Sequence, residues 1–565
     1  MQPSVVFFLL FHILVGQECP AYRLEGNLEN SLISTEEWEE IKLAARQISG
    51  KKGAIGAGRA GSEEAGLRML KAGGNAVDAG VASVLALSVT DHTAFCFGGE
   101  VPMLIYMAET GKVTAISGQG PAPGKANLEM FVGMDTIPGS GILPAAVPST
   151  LATCILALDE FGTMTFAEVA EPTIEILVAG GEEWFSRLAN TFDRLIAEEE
   201  AQGSQDRSAG LEAVRKYFYE GPIADELVMW NQGVGGLFSK EDLSDYKARL
   251  EEPIQGTYRG YDVYKCGFWT QGPALIQALN ILEGYDLSSM KLDDPEYIHL
   301  VVESLKLAFA DRDTYYGDPD FVEIPAEVLL SKDYAAKRRT LIDQSKASME
   351  HQPGDPQKNR ALDYKARKVF GSEFESQDTT TCVAADKNGN MFVATPSGWG
   401  SGVEPGDTGV VLGTRLQSLN LWPGHPNVIQ PGKRPRITLT PTLIMKDGKP
   451  FMVVSVAGGD QQDQTALQMI LNVIEFGMHP QKSADTTRFG TDHLIGSFRQ
   501  TPVSPGSLTI EDTAPKKTLE ALREKGHKVR LTSNFPSQTV LIMWKPDGTM
   551  EPGGDLGKDR HIAAY

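Results

Sequence analysis

The spacing of hydrophobic and polar positions changes character twice along this chain. The run Gly53-Ala54-Ile55-Gly56-Ala57-Gly58 reads as a short strand, followed by a helical pattern. Ser62 is the expected N-cap of that helix, with Glu63 and Glu64 in a first turn whose dipole favours carboxylates. The helix passes through Leu67-Arg68-Met69-Leu70 and stops at Gly73-Gly74, a glycine C-cap, and a second apolar helix over 76–89 begins almost at once. Residues 20–50 are charged and amphipathic, an N-terminal arm or helix, and 150–345 read as mostly helical, including 274–282 and 297–311. From about 345 to 378 the chain turns polar around Pro353-Gly354-Asp355-Pro356, the signature of a linker or flexible loop. Beyond it the period falls to two. Residues 380–385, a turn at Asn388-Gly389 and 391–395 predict one hairpin; 442–445, Asp447-Gly448 and 451–456 predict another. The second hairpin ends at Gly458-Gly459, ahead of a helix over 464–476. Sheets carrying helices on their outer faces make an α/β or α+β layered sandwich.

Composition narrows the function more than the fold. At 565 residues, length alone suggests three or more domains. With 52 basic against 74 acidic residues the net charge is -22, which argues against a nucleic-acid or anionic-membrane surface. The apolar run from Val5 to Gly16 has the length of a signal-peptide core and is too short to span a bilayer, although no Lys or Arg precedes it. Residues 1–18 are therefore expected to be a signal peptide of a secreted or periplasmic protein, with a cytoplasmic location as the alternative; no later segment reads as a membrane span. Five scattered cysteines and nine dispersed histidines show no CxxC pair and no HExxH, so neither a disulfide framework, a metal nor a cofactor is expected. Gly56-Ala57-Gly58 and Gly98-Gly99 lack phosphate-loop spacing and read as tight turns.

The candidate chemistry lies at Asp378-Thr379-Thr380-Thr381, where the polar stretch meets the alternating strand. A precursor cut before Thr379 would expose an N-terminal threonine, whose weakly nucleophilic hydroxyl has a base in its own α-amine. Ser397, on the return strand, is placed to hydrogen-bond that hydroxyl or amine. Gly458-Gly459, at a strand-to-helix turn, offers two backbone N–H groups to an oxyanion, where losing one donor typically costs ~3 kcal/mol. Each element has a plainer alternative: a β-branched strand edge, a turn serine, a helix-entry turn.

Further landmarks carry a resemblance. They are Ala65-Gly66-Leu67, Leu70-Lys71-Ala72-Gly73-Gly74-Asn75-Ala76-Val77-Asp78-Ala79, and Leu305-Lys306-Leu307-Ala308-Phe309-Ala310-Asp311-Arg312 with Gly317-Asp318-Pro319. Asp386-Lys387-Asn388-Gly389-Asn390, Gly432-Lys433-Arg434-Pro435 and Gly458-Gly459 follow in order. From Lys52 to the C-terminus the chain resembles the γ-glutamyltransferase family of N-terminal-nucleophile hydrolases. The resemblance implies a four-layer αββα sandwich of α+β class, made as one precursor and cut between Asp378 and Thr379. Its portions, 19–378 and 379–565, would remain associated as one intertwined fold. It also implies an acyl-enzyme on Thr379, with Ser397 in support, Gly458 and Gly459 holding the oxyanion, and water or an amine as acceptor. The glutamate-gripping positions differ. Family members acting on glutathione carry an arginine where this chain reads Ser117-Gly118-Gln119-Gly120-Pro121. An acidic residue corresponds to Ser418, paired serines to Ile437 and Thr438, and an asparagine to Trp399. The run from Gly400 to Gly409, with Arg415 and Pro423-Gly424-His425-Pro426-Asn427, instead resembles the branch of oxamate amidohydrolase and glutaryl-type acylases. The substrate implied is a small amide other than glutathione. Arg415 would meet a substrate carboxylate bidentately, or else pair with a surface acid; Gln119, Thr438, Asp460, Gln461 and Gln462 are the expected polar liners.

Overall fold

A computed structural model describes residues 35–203, 206–356 and 379–565. The apolar N-terminal run, Cys19 and Asp378 lie outside these residues. Two antiparallel sheets stack face to face. The first has seven strands in the order His561–Ala564, Gly53–Ala57, Cys382–Asp386, Met391–Ala394, Met103–Met107, Lys112–Ser117, Arg249–Glu251. The second has six, in the order Met550–Gly554, Gln538–Trp544, Lys449–Ala457, Thr442–Lys446, Tyr261–Lys265, Ile254–Tyr258. Alternation along one strand shows how the layers form. On Cys382–Asp386, Val383 and Ala385 pack between the sheets with Leu443, Val453 and Val540. Cys382 and Ala384 face the opposite way, into the core shared with Val77 and Val81 of the helix Ala76–Thr90. The outer face of the second sheet is covered by Pro273–Leu282, Pro295–Tyr315 and Gln462–Ile474. The result is the αββα sandwich, an α+β fold. No helix among the described residues is long and apolar enough to cross a membrane.

Hairpins from distant parts of the chain are joined side by side in both sheets. Gly53–Ala57 lies between His561–Ala564 and Cys382–Asp386. Several sequence landmarks prove to be joints of this framework. Asn75 and Asp78 form a reciprocal capping box at the start of Ala76–Thr90, and the Ala76 N–H donates to Asp386 Oδ2 at 3.0 Å, tying the helix to the first hairpin. Asp318 accepts from the backbone N–H of Arg434 at 2.8 Å and from its Nη2 at 2.7 Å, joining two more.

Both predicted hairpins form, as do the Gly73 cap (φ 101°) and the turn at Asp447-Gly448, where both residues have positive φ. Two expectations differ. The helix after strand Gly53–Ala57 is Ala60–Ala72 and its cap is Arg59; Ser62 lies inside the first turn, its hydroxyl donating back to the Arg59 carbonyl at 2.7 Å. The region expected to be mostly helical also holds the hairpin Ile254–Tyr258 and Tyr261–Lys265. Its turn places Arg259 (φ 51°) and Gly260 (φ 79°) in the left-handed region, a turn usually signalled by Asn-Gly.

Candidate active site

Thr379 enters the first sheet just ahead of Cys382–Asp386. Its backbone pairs with Ser397, and the Thr380 N–H donates to the Pro396 carbonyl at 2.9 Å. Ser397 pairs in turn with Glu100 through two backbone hydrogen bonds of 2.9 Å each. Thr379, Ser397 and Glu100 are thus successive rungs of one ladder, and the side chains extend the connection. Thr379 Oγ1 lies 3.5 Å from Ser397 Oγ, and Arg415 Nη2 donates to the same Ser397 Oγ at 2.5 Å. Arg415 Nε donates to Glu100 Oε1. Arg415 and Glu100 are only 3% and 2% exposed, so the partner of this arginine is a buried acid and neither a surface one nor solvent. Its Nη1 has no partner among the described residues. The guanidinium stands 5.5 Å from the Phe498 ring. Trp399, Thr414, Gln417 and Phe498 line the space beside this guanidinium.

The opposite wall comes from the second sheet. Strand Lys449–Ala457 runs into Gly458 (φ 125°) and Gly459 (φ 56°), and the helix Gln462–Ile474 follows. A side chain at Gly458 would meet the Pro536 carbonyl oxygen at 2.2 Å, so the turn requires glycine there twice over, by φ and by space. The neighbours of Gln462 orient its amide: the NH₂ donates to the carbonyls of Val456 (3.0 Å) and Thr438 (2.9 Å), and the amide oxygen accepts the Thr379 hydroxyl at 3.2 Å. Next along the helix, Asp463 Oδ1 pairs with Lys265 Nζ at 2.9 Å, both side chains fully buried. Lys265 also donates to the Thr440 carbonyl and to Thr442 Oγ1, each at 2.8 Å. Burial pulls the Lys265 ammonium below its ordinary value, against the attraction of Asp463.

The structure therefore brings together Thr379, Ser397, Arg415, Gln462 and the Thr438 carbonyl, beside Gly458-Gly459. Among the described residues, the other expected liners make their hydrogen bonds elsewhere. Gln119 Nε2 donates to the Gly120 carbonyl at 2.7 Å. Asp460 accepts from Arg312 Nη1 and Ser497 Oγ, each at 2.5 Å. Gln461 Nε2 donates to Asp492 Oδ1 at 3.3 Å. Sequence reasoning missed Glu100, Lys265 and Asp463. Their signal was a charge in an apolar setting, Phe97-Gly98-Gly99-Glu100-Val101 for one and the strand end Tyr264-Lys265-Cys266 for another. A roomier open groove of about 750 Å³, lined by Arg259, Tyr261, Glu283, Lys446 and Glu475, has none of these groups.

A four-layer sandwich with this strand and turn arrangement is the N-terminal-nucleophile hydrolase class of fold. Comparison with known proteins gives the family. The Gamma-glutamyltranspeptidase family model matches residues 62–182 and 183–565. The glutathione hydrolase proenzyme of Escherichia coli K12 is 32% identical over 553 residues, covering 90% of this chain and 91% of that protein. The acylase ACY 1 proenzyme of Pseudomonas sp. strain SE83 is 30% identical over 544 residues, covering 89% and 92%. The crystal structure of cephalosporin acylase from Bacillus halodurans superposes with a TM-score of 0.77 at 27% identity, over 92% of this chain and 96% of that one. This chain belongs to the γ-glutamyltranspeptidase family and is an enzyme of its amidohydrolase and transferase chemistry.

Proposed function

We propose that the chain is a precursor cut between Asp378 and Thr379, whose 379–565 portion acts as a threonine amidohydrolase or acyltransferase on a small amide other than glutathione. The observation that carries this reading is the convergence of Ser397 Oγ and the Gln462 amide oxygen on Thr379 Oγ1. In the cut protein the Thr379 α-amine takes the hydroxyl proton as Oγ1 attacks the amide carbon. The C–N bond breaks, the amine leaves with that proton, and the acyl group remains as an ester on Oγ1 until water or an amine removes it. Gly458 and Gly459 supply N–H donors to the oxyanion, near the positive end of the helix Gln462–Ile474. Arg415, through Nη2, fixes the Ser397 hydroxyl, and Nη1 is the donor left for an acidic acyl group such as glutaryl or oxamyl. The names of the two acylase relatives support removal of an acyl group from an amide. The name of the Escherichia coli relative supports a second reading, a glutathione hydrolase that grips glutamate by other residues. Cut portions 19–378 and 379–565 would stay associated through the shared sheets, and an exported enzyme matches the N-terminal apolar run.

Intact-mass analysis of the purified protein and its Thr379→Ala variant, with a panel of acyl amides that includes a γ-glutamyl anilide, tests this. Two fragments and an acyl adduct on the 379–565 piece are expected for the wild type, and one full-length species for the variant. A wild type that stays full length and gains no adduct overturns the proposal; turnover of the γ-glutamyl anilide alone favours the second reading.

A further inference from the structure

Three ligand-type side chains meet away from Thr379, in the helical layer over the second sheet. His299, Glu303 and His527 are all buried, and one ligand atom from each lies within 4.8 Å of the others. His299 and Glu303 are one turn apart on Pro295–Tyr315, so they share a face; His527 immediately precedes the strand Lys528–Thr532. Hydrogen bonding fixes the tautomers. His299 Nε2 lies 2.9 Å from the Asp343 carbonyl, which only accepts, so its proton is on Nε2 and Nδ1 presents a lone pair. That Nδ1 is 2.9 Å from His527 Nε2, which is therefore the donor. His527 Nδ1 is then a buried lone pair with no partner among the described residues. Glu303 accepts Lys306 Nζ on Oε1 at 2.6 Å and the Ser348 N–H on Oε2 at 3.2 Å, which leaves further lone pairs on its two oxygens.

We propose that His299 Nδ1, His527 Nε2 and a Glu303 oxygen form a binding site for a divalent transition ion of the zinc class. Two imidazoles and a carboxylate are a zinc donor set. The Asp343 carbonyl, holding His299 through its other nitrogen, is the outer support that such ligands have. The ion takes the place of the His–His hydrogen bond. The His527 proton moves to the unpartnered Nδ1, so no net proton is released. The two rings part by a few tenths of an ångström, since zinc–nitrogen bonds of ~2.0–2.1 Å place tetrahedral ligand atoms roughly 3.3 Å apart. His299 and Glu303 precede position 378 and His527 follows it, so the ion would tie together the two portions of the chain. The site itself does not depend on cleavage.

Untagged full-length protein, stripped with a chelator and dialysed against Zn²⁺ or Co²⁺, is expected to retain one equivalent of either by elemental analysis. Its Co²⁺ form should show the intense visible absorption of a four- or five-coordinate site. His527→Gln and Glu303→Gln should each weaken binding about tenfold or more, and His92→Gln, at a histidine packed against Trp184 and Phe185, should not. Binding well below one equivalent, a weak octahedral Co²⁺ spectrum, or unchanged affinity in the folded His527→Gln protein overturns the proposal. If circular dichroism shows that His527→Gln does not fold, the wild-type stoichiometry and spectrum together with Glu303→Gln decide it.

Discussion

Two buried ion pairs flank Thr379, and they are built differently. On the second-sheet side, the Lys265 ammonium has three donors and three acceptors within hydrogen-bond distance: Asp463 Oδ1, the Thr440 carbonyl and Thr442 Oγ1. On the first-sheet side, Arg415 gives Nε to Glu100 and Nη2 to Ser397, and Nη1 is left without a partner among the described residues. Burying a charge costs several kcal/mol unless its hydrogen bonds are made. On the second-sheet side every donor of the cation is met and the orphan is an acceptor, Asp463 Oδ2, so the pair is a joint between helix and sheet with no donor to spare. On the first-sheet side the orphan is a donor, Arg415 Nη1, beside the Thr379–Ser397–Glu100 ladder.

Replacing both members of each pair tests that difference most severely. Lys265→Met alone leaves Asp463 buried and unpaired and should cost about 3–5 kcal/mol in chemical denaturation. Lys265→Met/Asp463→Leu should recover most of that loss and keep kcat/KM for the best amide within a few fold. Arg415→Gln should lower kcat/KM about 10²-fold, ~3 kcal/mol of transition-state stabilisation. Here the double variant Glu100→Gln/Arg415→Met should recover stability without activity. If both doubles regain activity, Arg415 is a structural joint like Lys265 and the contrast collapses. A milder probe is Thr442→Val, which removes one Lys265 acceptor and should cost about 1 kcal/mol, with kcat/KM unmoved.

The parts of this site that were legible in the sequence are those written in short-range code. Asn388-Gly389 and Asp447-Gly448 announce two hairpins, the first through a left-handed Gly389 and the second through left-handed Asp447 and Gly448, and the hairpins set the register that places Thr379 and Gly458-Gly459. Ser397 follows from the return strand of the first hairpin. The partner of Arg415 was not legible, since Glu100 lies 315 positions away and nothing local to either residue encodes the pairing. His299 and His527, 228 positions apart, were read as dispersed histidines for the same reason. The hairpin at Arg259-Gly260 was hidden by an arginine occupying a turn position where asparagine is usual. Ser62 misled in the other direction: a good capping residue was present, but the helix starts two residues earlier.

The smallest expected effect separates the pairs by titration. Burial holds Lys265 below its ordinary ammonium value, whereas a guanidinium keeps its charge at every pH the fold survives. In the unfolded chain a lysine retains its proton up to about 10.5, and in the folded protein Lys265 loses it at lower pH. Between those two values the unfolded state binds more protons, so the folded state gains stability as pH rises. Below both values Lys265 contributes a constant penalty with no slope. Denaturation measured from neutral pH toward 10.5 should therefore show the wild type gaining on Lys265→Met/Asp463→Leu. Its difference from Glu100→Gln/Arg415→Met should stay level, because both of those proteins keep Lys265. Level differences in both comparisons would mean that Lys265 keeps its proton across the range. The distinction between the two sides of Thr379 would then rest on the unpartnered Nη1 alone.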